Sequence, residues 1–365
     1  MARDLASDGK YLVRAVDASQ RNLSNLDGVE RIELRQADLT APQALIDAIS
    51  DADAVVGAVP GWMGQAMLRA VISAGKPIAD ISFAPEDPLE LDALAKEKGV
   101  PAVVDCGVSP GLSNLAIGRA ASKLARADNA VIFVGGLPAE RHWPYEYRSV
   151  FSPTDVIEEY TRPARLVENG KVVVREALSE VELLEFKGVG TLEAFNTDGL
   201  RTLIRTMAIP SMKEKTMRYP GHADRMRMLR ETGLLSSEPV DVDGVRVIPR
   251  RLTEKLLFEK WRRPESEREL TVLRVIVEGT QADGTRARYV YDLLDHTDPL
   301  TGWTSMARTT GFPCVIMARA LADGRCTTPG VLPLELIAPD EHLFDHVLDE
   351  LGKRGVTLHE RVEKL

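Results

Sequence analysis

Asp53-Ala-Val-Val-Gly-Ala-Val-Pro-Gly61, Trp62-Met-Gly-Gln-Ala-Met-Leu-Arg-Ala-Val-Ile-Ser-Ala-Gly75 and Lys76-Pro-Ile-Ala-Asp-Ile81 are one continuous stretch. The first part is a short β-type run closed by loop residues. The second carries apolar residues at helical spacing and stops at Gly75, and the third is again β-type. Strand, helix and strand in that order are what a parallel sheet with crossover helices requires. The rhythm extends outward on both sides. Tyr11 to Val16 reads as a strand ended by Asp17, Asp53 to Val59 and Pro77 to Ile81 as the strands of the quoted stretch, and Pro101 to Asp105 as a fourth. Pro42 to Ser50, Met63 to Ala74 and Leu89 to Lys98 read as helices, with Gly75 and Gly99 as C-terminal stops. Residues 1–125 are therefore expected to form a doubly wound, Rossmann-type α/β domain.

From about Asn129 the pattern changes. β-type runs occur at Val131 to Gly135, Tyr147 to Phe151, Lys171 to Arg175, Val181 to Phe186, Leu270 to Glu278 and Arg286 to Asp292. Strands without regular crossovers predict a mostly antiparallel sheet. Helical patterns at Thr154 to Tyr160, Gly199 to Met207 and His222 to Thr232 lie between them. Residues 126–302 are thus expected to be an inserted α+β domain. Residues 303–365 read as helical and return to the first domain: Ser305 to Leu321, then a last helix capped by Asp340 and stopped by Gly352.

Composition narrows the function classes. The 365 residues are 44% hydrophobic and 28% charged, as in globular proteins, and the net charge of −9 offers no basic field to nucleic acid. No run of 18 apolar residues is present, and Arg3, Asp4, Asp8 and Lys10 occupy the place of an apolar leader. No membrane association and a cytoplasmic location are expected. Cys106, Cys314 and Cys326 are spaced for neither a disulfide framework nor a zinc site. His342 and His346, four apart on an acidic amphipathic run, lack an evident third ligand, so no metal is expected. Met226, Met228 and Met317 read as core packing.

A dinucleotide-binding unit runs strand, G-x-G-x-x-G, helix, strand, acid, with the acid about 20 residues past the glycines. Asp17 ends a strand, and Ala2 to Ser7 read as the tail of the preceding helix, which puts the glycine loop upstream of Met1. The expectation is a domain lacking its first strand and phosphate loop, through a misassigned start or a truncation. The pyrophosphate then lacks the N–H donors of that loop, and cofactor binding is expected to be weak.

Further motifs follow in order: Gly57-Ala-Val-Pro-Gly61, Asp80-Ile-Ser-Phe83, Asp105-Cys-Gly-Val-Ser-Pro-Gly-Leu112, Gly135-Gly-Leu-Pro138, Phe151-Ser-Pro153, Glu158-Glu-Tyr-Thr-Arg-Pro-Ala164, Thr197-Asp-Gly-Leu-Arg201, Thr216-Met-Arg-Tyr-Pro-Gly-His222 and Ser305-Met-Ala-Arg-Thr-Thr-Gly311. The ordered set resembles the saccharopine dehydrogenase family, in its lysine 6-dehydrogenase-like branch. The resemblance implies a split dinucleotide-binding domain with an inserted substrate and dimerisation domain, and a homodimer or higher homo-oligomer. It also implies oxidative deamination of the side-chain amine of L-lysine, with ammonia released. The alternatives are a saccharopine reductase acting on a secondary amine and a non-catalytic relative.

Candidate residues follow from position and chemistry. Asp17, by excluding the extra phosphate, favours NAD, with NADP less expected, although Arg21 lies four residues on. Asp38, Gly57, Val59, Pro60, Gly61, Asp80, Gly107, Pro110 and Gly111 complete the cofactor-binding set. A tight βα turn needs the same glycines, and helix capping needs the same acids. Gly107-Val-Ser-Pro-Gly111 matches the G-x-S-x-G of Ser hydrolases, but Pro110 has no N–H to give an oxyanion. Ser109 is instead expected to cap a helix, leaving Gly111 and Leu112 N–H groups free for a ligand. His222, Asp105 and Asp80 are the candidate catalytic groups, and Arg218, Ser82 and Tyr219 the candidate substrate-binding groups.

Overall fold

A computed structural model describes residues 1–365. The chain divides into two compact units, Met1–Arg119 with Thr310–Gly355, and Ala120–Thr309 with Val356–Leu365.

The first unit is parallel throughout. Strands are numbered along the chain: β1 (Val13–Asp17) pairs with β2 (Ile32–Gln36), and β3 (Val55–Gly57), β4 (Ile78–Asp80), β5 (Pro101–Val104) and β16 (Gly330–Pro333) form a four-stranded sheet in that order. Helix Gly61–Ser73 presents Met67, Leu68, Val71 and Ile72 at spacings of three and four. They pack with Ile78, Ala102, Val104 and Val331 of the strands and with Leu91 and Ala95. β5 is buried at every position, as a parallel strand covered on both faces must be. Gly75 and Gly99 end helices with φ of 71° and 69°, the left-handed conformation that favours glycine. The short helix Ala2–Ala6 precedes β1. β2, whose Glu33 and Arg35 alternate with Ile32 and Leu34, has no counterpart among the expected strands.

The second unit holds a nine-stranded sheet and a separate hairpin of β12 (Val240–Val242) and β13 (Val245–Val247). The strands of the sheet are β6 (Arg126–Pro138), β7 (Ala164–Glu168), β8 (Lys171–Arg175), β9 (Glu182–Phe186), β10 (Gly190–Asn196), β11 (Ser211–Arg218), β14 (Glu269–Thr280), β15 (Arg286–His296) and β17 (His359–Lys364). The order is β17-β15-β14-β6-β11-β10-β9, with β7 between β11 and β8. Only β6 and β11 run parallel. Three expectations change here. Tyr147 to Phe151 is not a strand, because Tyr147 turns inward and is buried. The helix expected at Gly199 to Met207 shrinks to Leu203–Thr206, and an unforeseen helix, Pro249–Trp261, supplies Leu257 and Trp261 to an aromatic core with Tyr147, Tyr160 and Phe195. The return of the C-terminal segment is also divided: Thr310–Gly355 belongs to the first unit, whereas β17 pairs with β15 in the second.

Helix Ser305–Ala322 forms as expected. The last helix, Glu341–Lys353, is capped by the Asp340 carboxylate, which accepts from His342 and Leu343 N–H, and it passes Gly352. Met226 and Met317 are buried, but Met228 is exposed. All three cysteines are free and buried. No helix is long and apolar enough to cross a membrane.

Candidate functional site

Gly57 to Gly61, Asp80 to Ser82 and Asp105 to Gly111 follow three adjacent parallel strands, so they share the carboxyl edge of one sheet, where ligands of doubly wound folds bind. Hydrogen bonds lace the three loops together. Ile81 N–H donates to Gly57 O at 3.0 Å, Val59 N–H to Ser82 Oγ at 3.2 Å, Ser82 N–H to Asp80 Oδ1 at 2.9 Å and Cys106 N–H to Asp80 O at 3.0 Å. Asp80, Ser82 and Asp105 are buried. The glycines answer to the fold itself: a Cβ on Gly57 would overlap Asp80 Oδ1 and come within 2.7 Å of Met67 Cε, and one on Gly61 would overlap Phe83 O. Pro60 stands just before the helix that begins at Gly61.

The Gly107–Gly111 loop differs from its expected form. The helix starts at Leu112, so Ser109 does not cap it and Pro110 is not its first residue. Gly111 N–H donates to Asn114 Oδ1 at 3.2 Å and Leu112 N–H to Gly107 O at 2.9 Å, so neither is left for a ligand. Gly111 has a φ of 139°, and a Cβ there would overlap the Gly107 carbonyl. This glycine closes the loop on itself.

Asp17 ends β1, half-buried. Its carboxylate accepts Ser19 N–H at 2.7 Å and the Asn22 amide at 3.2 and 3.3 Å, which fastens the short helix Gln20–Leu23. Asp38, past the end of β2, is exposed. Its Oδ1 accepts from the hydroxyl and N–H of Thr40, which hold its pKa below the usual range. Arg21 is exposed beside this edge of the unit.

In the second unit, Arg218 ends β11 and is 1% exposed. Its Nη2 donates to Glu159 Oε2 at 2.8 Å, its Nη1 to Met217 O at 2.9 Å, and the guanidinium lies 4.8 Å from the centre of the Tyr147 ring. Nη1 and Nη2 are thus already engaged inside the protein, and Nε is buried without a hydrogen bond, which corrects the expectation of an arginine open to a substrate carboxylate. Burial, opposed by Arg218, keeps the Glu159 carboxyl above its ordinary range. Tyr219 is also committed, donating to Pro138 O at 2.9 Å.

His222 opens the helix His222–Glu231 and is fully buried. Nδ1 lies 2.8 Å from Tyr145 O and Nε2 2.8 Å from Tyr160 Oη. A carbonyl only accepts, so Nδ1 carries the proton, Nε2 accepts, and Tyr160 donates. Burial, then the Arg218 charge, lowers the imidazole pKa to about 3. The neutral ring, fully buried with both nitrogens engaged inside the protein, holds Tyr160 in place and is not the open histidine expected from the sequence. The Glu193 carboxylate holds the start of the same helix, accepting Gly221 N–H at 2.7 Å and Ala223 N–H at 2.5 Å.

Glu214 is the residue that sequence reasoning missed. It shares a face of β11 with Thr216 and Arg218, because side chains alternate along a strand. It is 3% exposed, and its Oε2 accepts from Thr197 Oγ1 at 2.5 Å, with Thr216 Oγ1 a further 2.8 Å from that hydroxyl. Burial pushes its carboxyl up to about 8 against the Thr197 bond, with Glu159 and Asp198 adding to the rise. The one available signal was Thr197-Asp-Gly199: a Cβ on Gly199 would lie 2.5 Å from Glu214 Cδ.

Residues 1–103 match the model of the saccharopine dehydrogenase NADP binding domain, and residues 107–356 that of the saccharopine dehydrogenase C-terminal domain. The chain belongs to the saccharopine dehydrogenase family. Within it, the chain is 23% identical over 416 residues to the saccharopine dehydrogenase [NADP(+), L-glutamate-forming] of Schizosaccharomyces pombe, covering 92% of this chain and 90% of that one. It is 24% identical over 343 residues to the carboxynorspermidine synthase of Vibrio cholerae, covering 87% and 81%. The apo structure of the L-Glu-forming saccharopine dehydrogenase from Saccharomyces cerevisiae shares the fold, with a TM-score of 0.81, 18% identity and coverage of 99% of this chain and 96% of that one. The homospermidine synthase of Legionella pneumophila, solved with NAD, gives a TM-score of 0.61 at 12% identity, covering 97% and 85%.

The first unit of this saccharopine dehydrogenase family member fits a pyridine nucleotide at two ends. Asp17 sits at the carboxyl end of β1, where a carboxylate meets ribose hydroxyls, and the Gly57 to Gly61 turn, with a glycine at each end, follows β3 at the carboxyl edge of the four-stranded sheet.

Proposed function

We propose that the protein is an NADP-linked oxidoreductase acting at the carbon–nitrogen bond of a side-chain amine of an amino acid, with a secondary amine of the saccharopine type as its substrate class. The observation that carries this reading is the parallel-sheet edge of Gly57 to Gly61 and Asp80, with Asp17 at the end of a second parallel pair of strands, all within the segment that matches a pyridine-nucleotide-binding model. The printed names of the saccharopine dehydrogenase relatives supply the saccharopine chemistry and the NADP. Oxidation of L-lysine itself, which the sequence resemblance implied, is the second reading.

The Gly57 to Gly61 turn would hold the nucleotide, with the exposed Arg21 near the extra phosphate of NADP and the Asp17 carboxylate turned to Ser19 N–H and the Asn22 amide. The bound nicotinamide supplies hydride transfer. A carbon bearing an ammonium does not release hydride, so the nitrogen must first lose a proton. Asp80 and Asp105 are the carboxylates of that sheet edge, and we assign them this task.

The test is reduced-nucleotide formation with saccharopine and with L-lysine, each with NADP and with NAD, and in reverse with a semialdehyde plus glutamate. Turnover of saccharopine with NADP, lowered at least tenfold by Arg21→Ala, supports the reading. Turnover of L-lysine alone with ammonia release moves the protein to the second reading, and absence of turnover with any amine rejects both.

A further inference from the structure

The second unit holds a cavity of about 410 Å3. Small-molecule sites span roughly 300–1,000 Å3. Its walls include Phe151 of the Phe151-Ser-Pro153 motif, Phe258, Arg262 and Arg263 at the end of helix Pro249–Trp261, and Glu269 at the start of β14. Glu269 is 1% exposed. Its Oε1 accepts Met306 N–H at 2.8 Å, whereas Oε2 is buried and accepts no hydrogen bond. Arg263 Nε stands 3.6 Å from that oxygen, too far to donate, while Arg263 Nη1 donates to the carbonyls of Glu267 at 2.6 Å and Pro264 at 3.1 Å. A buried carboxylate oxygen without a donor is destabilising, and such groups are uncommon in folded proteins. Burial raises the Glu269 pKa against the hydrogen bonds from Met306 N–H and the Thr304 hydroxyl and the charge of Arg263.

The charges around the cavity select a ligand. A lone cation there meets Arg262 and Arg263, and a lone anion meets Glu269. A molecule with an ammonium and a carboxylate on one carbon satisfies both, and its chain can lie along Phe151 and Phe258. We infer that this cavity binds the α-amino-acid head of a ligand, with the ammonium on Glu269 Oε2, the carboxylate on the Arg262–Arg263 pair and the carbon chain against the two phenylalanines. The inference rests on the amine-oxidoreductase reading, whose amino-acid substrates carry such a head.

L-Norleucine is the probe, because it has the head and an apolar chain but no side-chain amine to react. Calorimetric titration of the full chain is expected to show L-norleucine binding at least tenfold more tightly than hexanoate or pentylamine. Glu269→Gln, which keeps the oxygen that accepts from Met306, should weaken L-norleucine at least tenfold. Arg262→Ala, at an exposed position, should weaken it without lowering the melting temperature. Equal binding of the three probes, no binding of L-norleucine, or wild-type affinity in both variants overturns the inference. L-Norleucine binding in a protein that oxidises no amine rejects only the oxidoreductase reading. Turnover of saccharopine with an unchanged Michaelis constant in both variants rejects only the cavity's role.

Discussion

Tyr160 donates its phenolic hydrogen to Nε2 of His222 across 2.8 Å, and Tyr145 O receives the proton on the other ring nitrogen. Neither atom of this pair reaches solvent. His222→Asn leaves the Tyr160 hydroxyl buried without its partner, at a cost of about 1–3 kcal/mol. Denaturant unfolding should show that loss. Because the imidazole pKa is already near 3, any activity retained should have the wild-type pH profile between pH 5 and 8. A missing limb in the variant's profile would restore the histidine as a proton carrier.

Glu214 should make stability fall as pH rises. Its carboxyl titrates at about 8 when folded and near 4.5 when unfolded, so between those values the folded state holds a proton that the unfolded state has released. Stability from this group is complete below pH 4.5, declines up to about pH 8, and is constant above that. The total change is on the order of a few kcal/mol. Glu214→Gln cannot titrate, so its melting temperature should vary less with pH than that of the wild type over pH 5–8. Parallel curves for the two proteins contradict this account.

Arg218→Ala strands Glu159 and empties the space above Tyr147. Breaking a pair whose arginine is buried and whose glutamate is 24% exposed costs about 1–3 kcal/mol. Arg218→Lys should recover little, because a single ammonium cannot serve Glu159, the Met217 carbonyl and the Tyr147 ring in the geometry of the guanidinium. Equilibrium unfolding of both variants, with Glu159→Gln and the double variant completing a cycle, measures the coupling. A coupling near zero would show that the pair contributes nothing beyond its separate parts.

Gly57→Ala should destabilise the first unit by about 1–3 kcal/mol through overpacking against Asp80 and Met67. Gly111→Ala should do more harm, combining overlap with the Gly107 carbonyl and a φ of 139°. Thermal melts rank the two. If Gly57→Ala melts like the wild type and loses only nucleotide affinity, that glycine serves the cofactor and not the packing.

The first unit was the more legible of the two. Helix Gly61–Ser73 was visible because Met67, Leu68, Val71 and Ile72 recur on one face, and β5 because Pro101–Val104 is apolar throughout. Such patterns are local, and burial of one face or both writes them directly into the sequence. β11 defeated the same reasoning: Glu214 and Arg218 point inward among buried groups, so its polar residues lie where a periodicity rule expects apolar ones. Helix Pro249–Trp261 escaped notice because charged residues surround its few buried positions.

The sequence by itself determined the family, the parallel order of the first unit, the mostly antiparallel sheet of the second, and which polar residues lie at strand ends. These follow from spacing, turn chemistry and ordered motifs within short stretches of chain. Tertiary structure alone decided what each polar group does. Whether His222 is a base or a buried spacer depends on Tyr145 and Tyr160, 77 and 62 residues away. Whether Arg218 is open to a ligand depends on Glu159, 59 residues away. Protonation state and availability are set by solvent exclusion and by the nearest charges, and both exist only once distant segments have packed together.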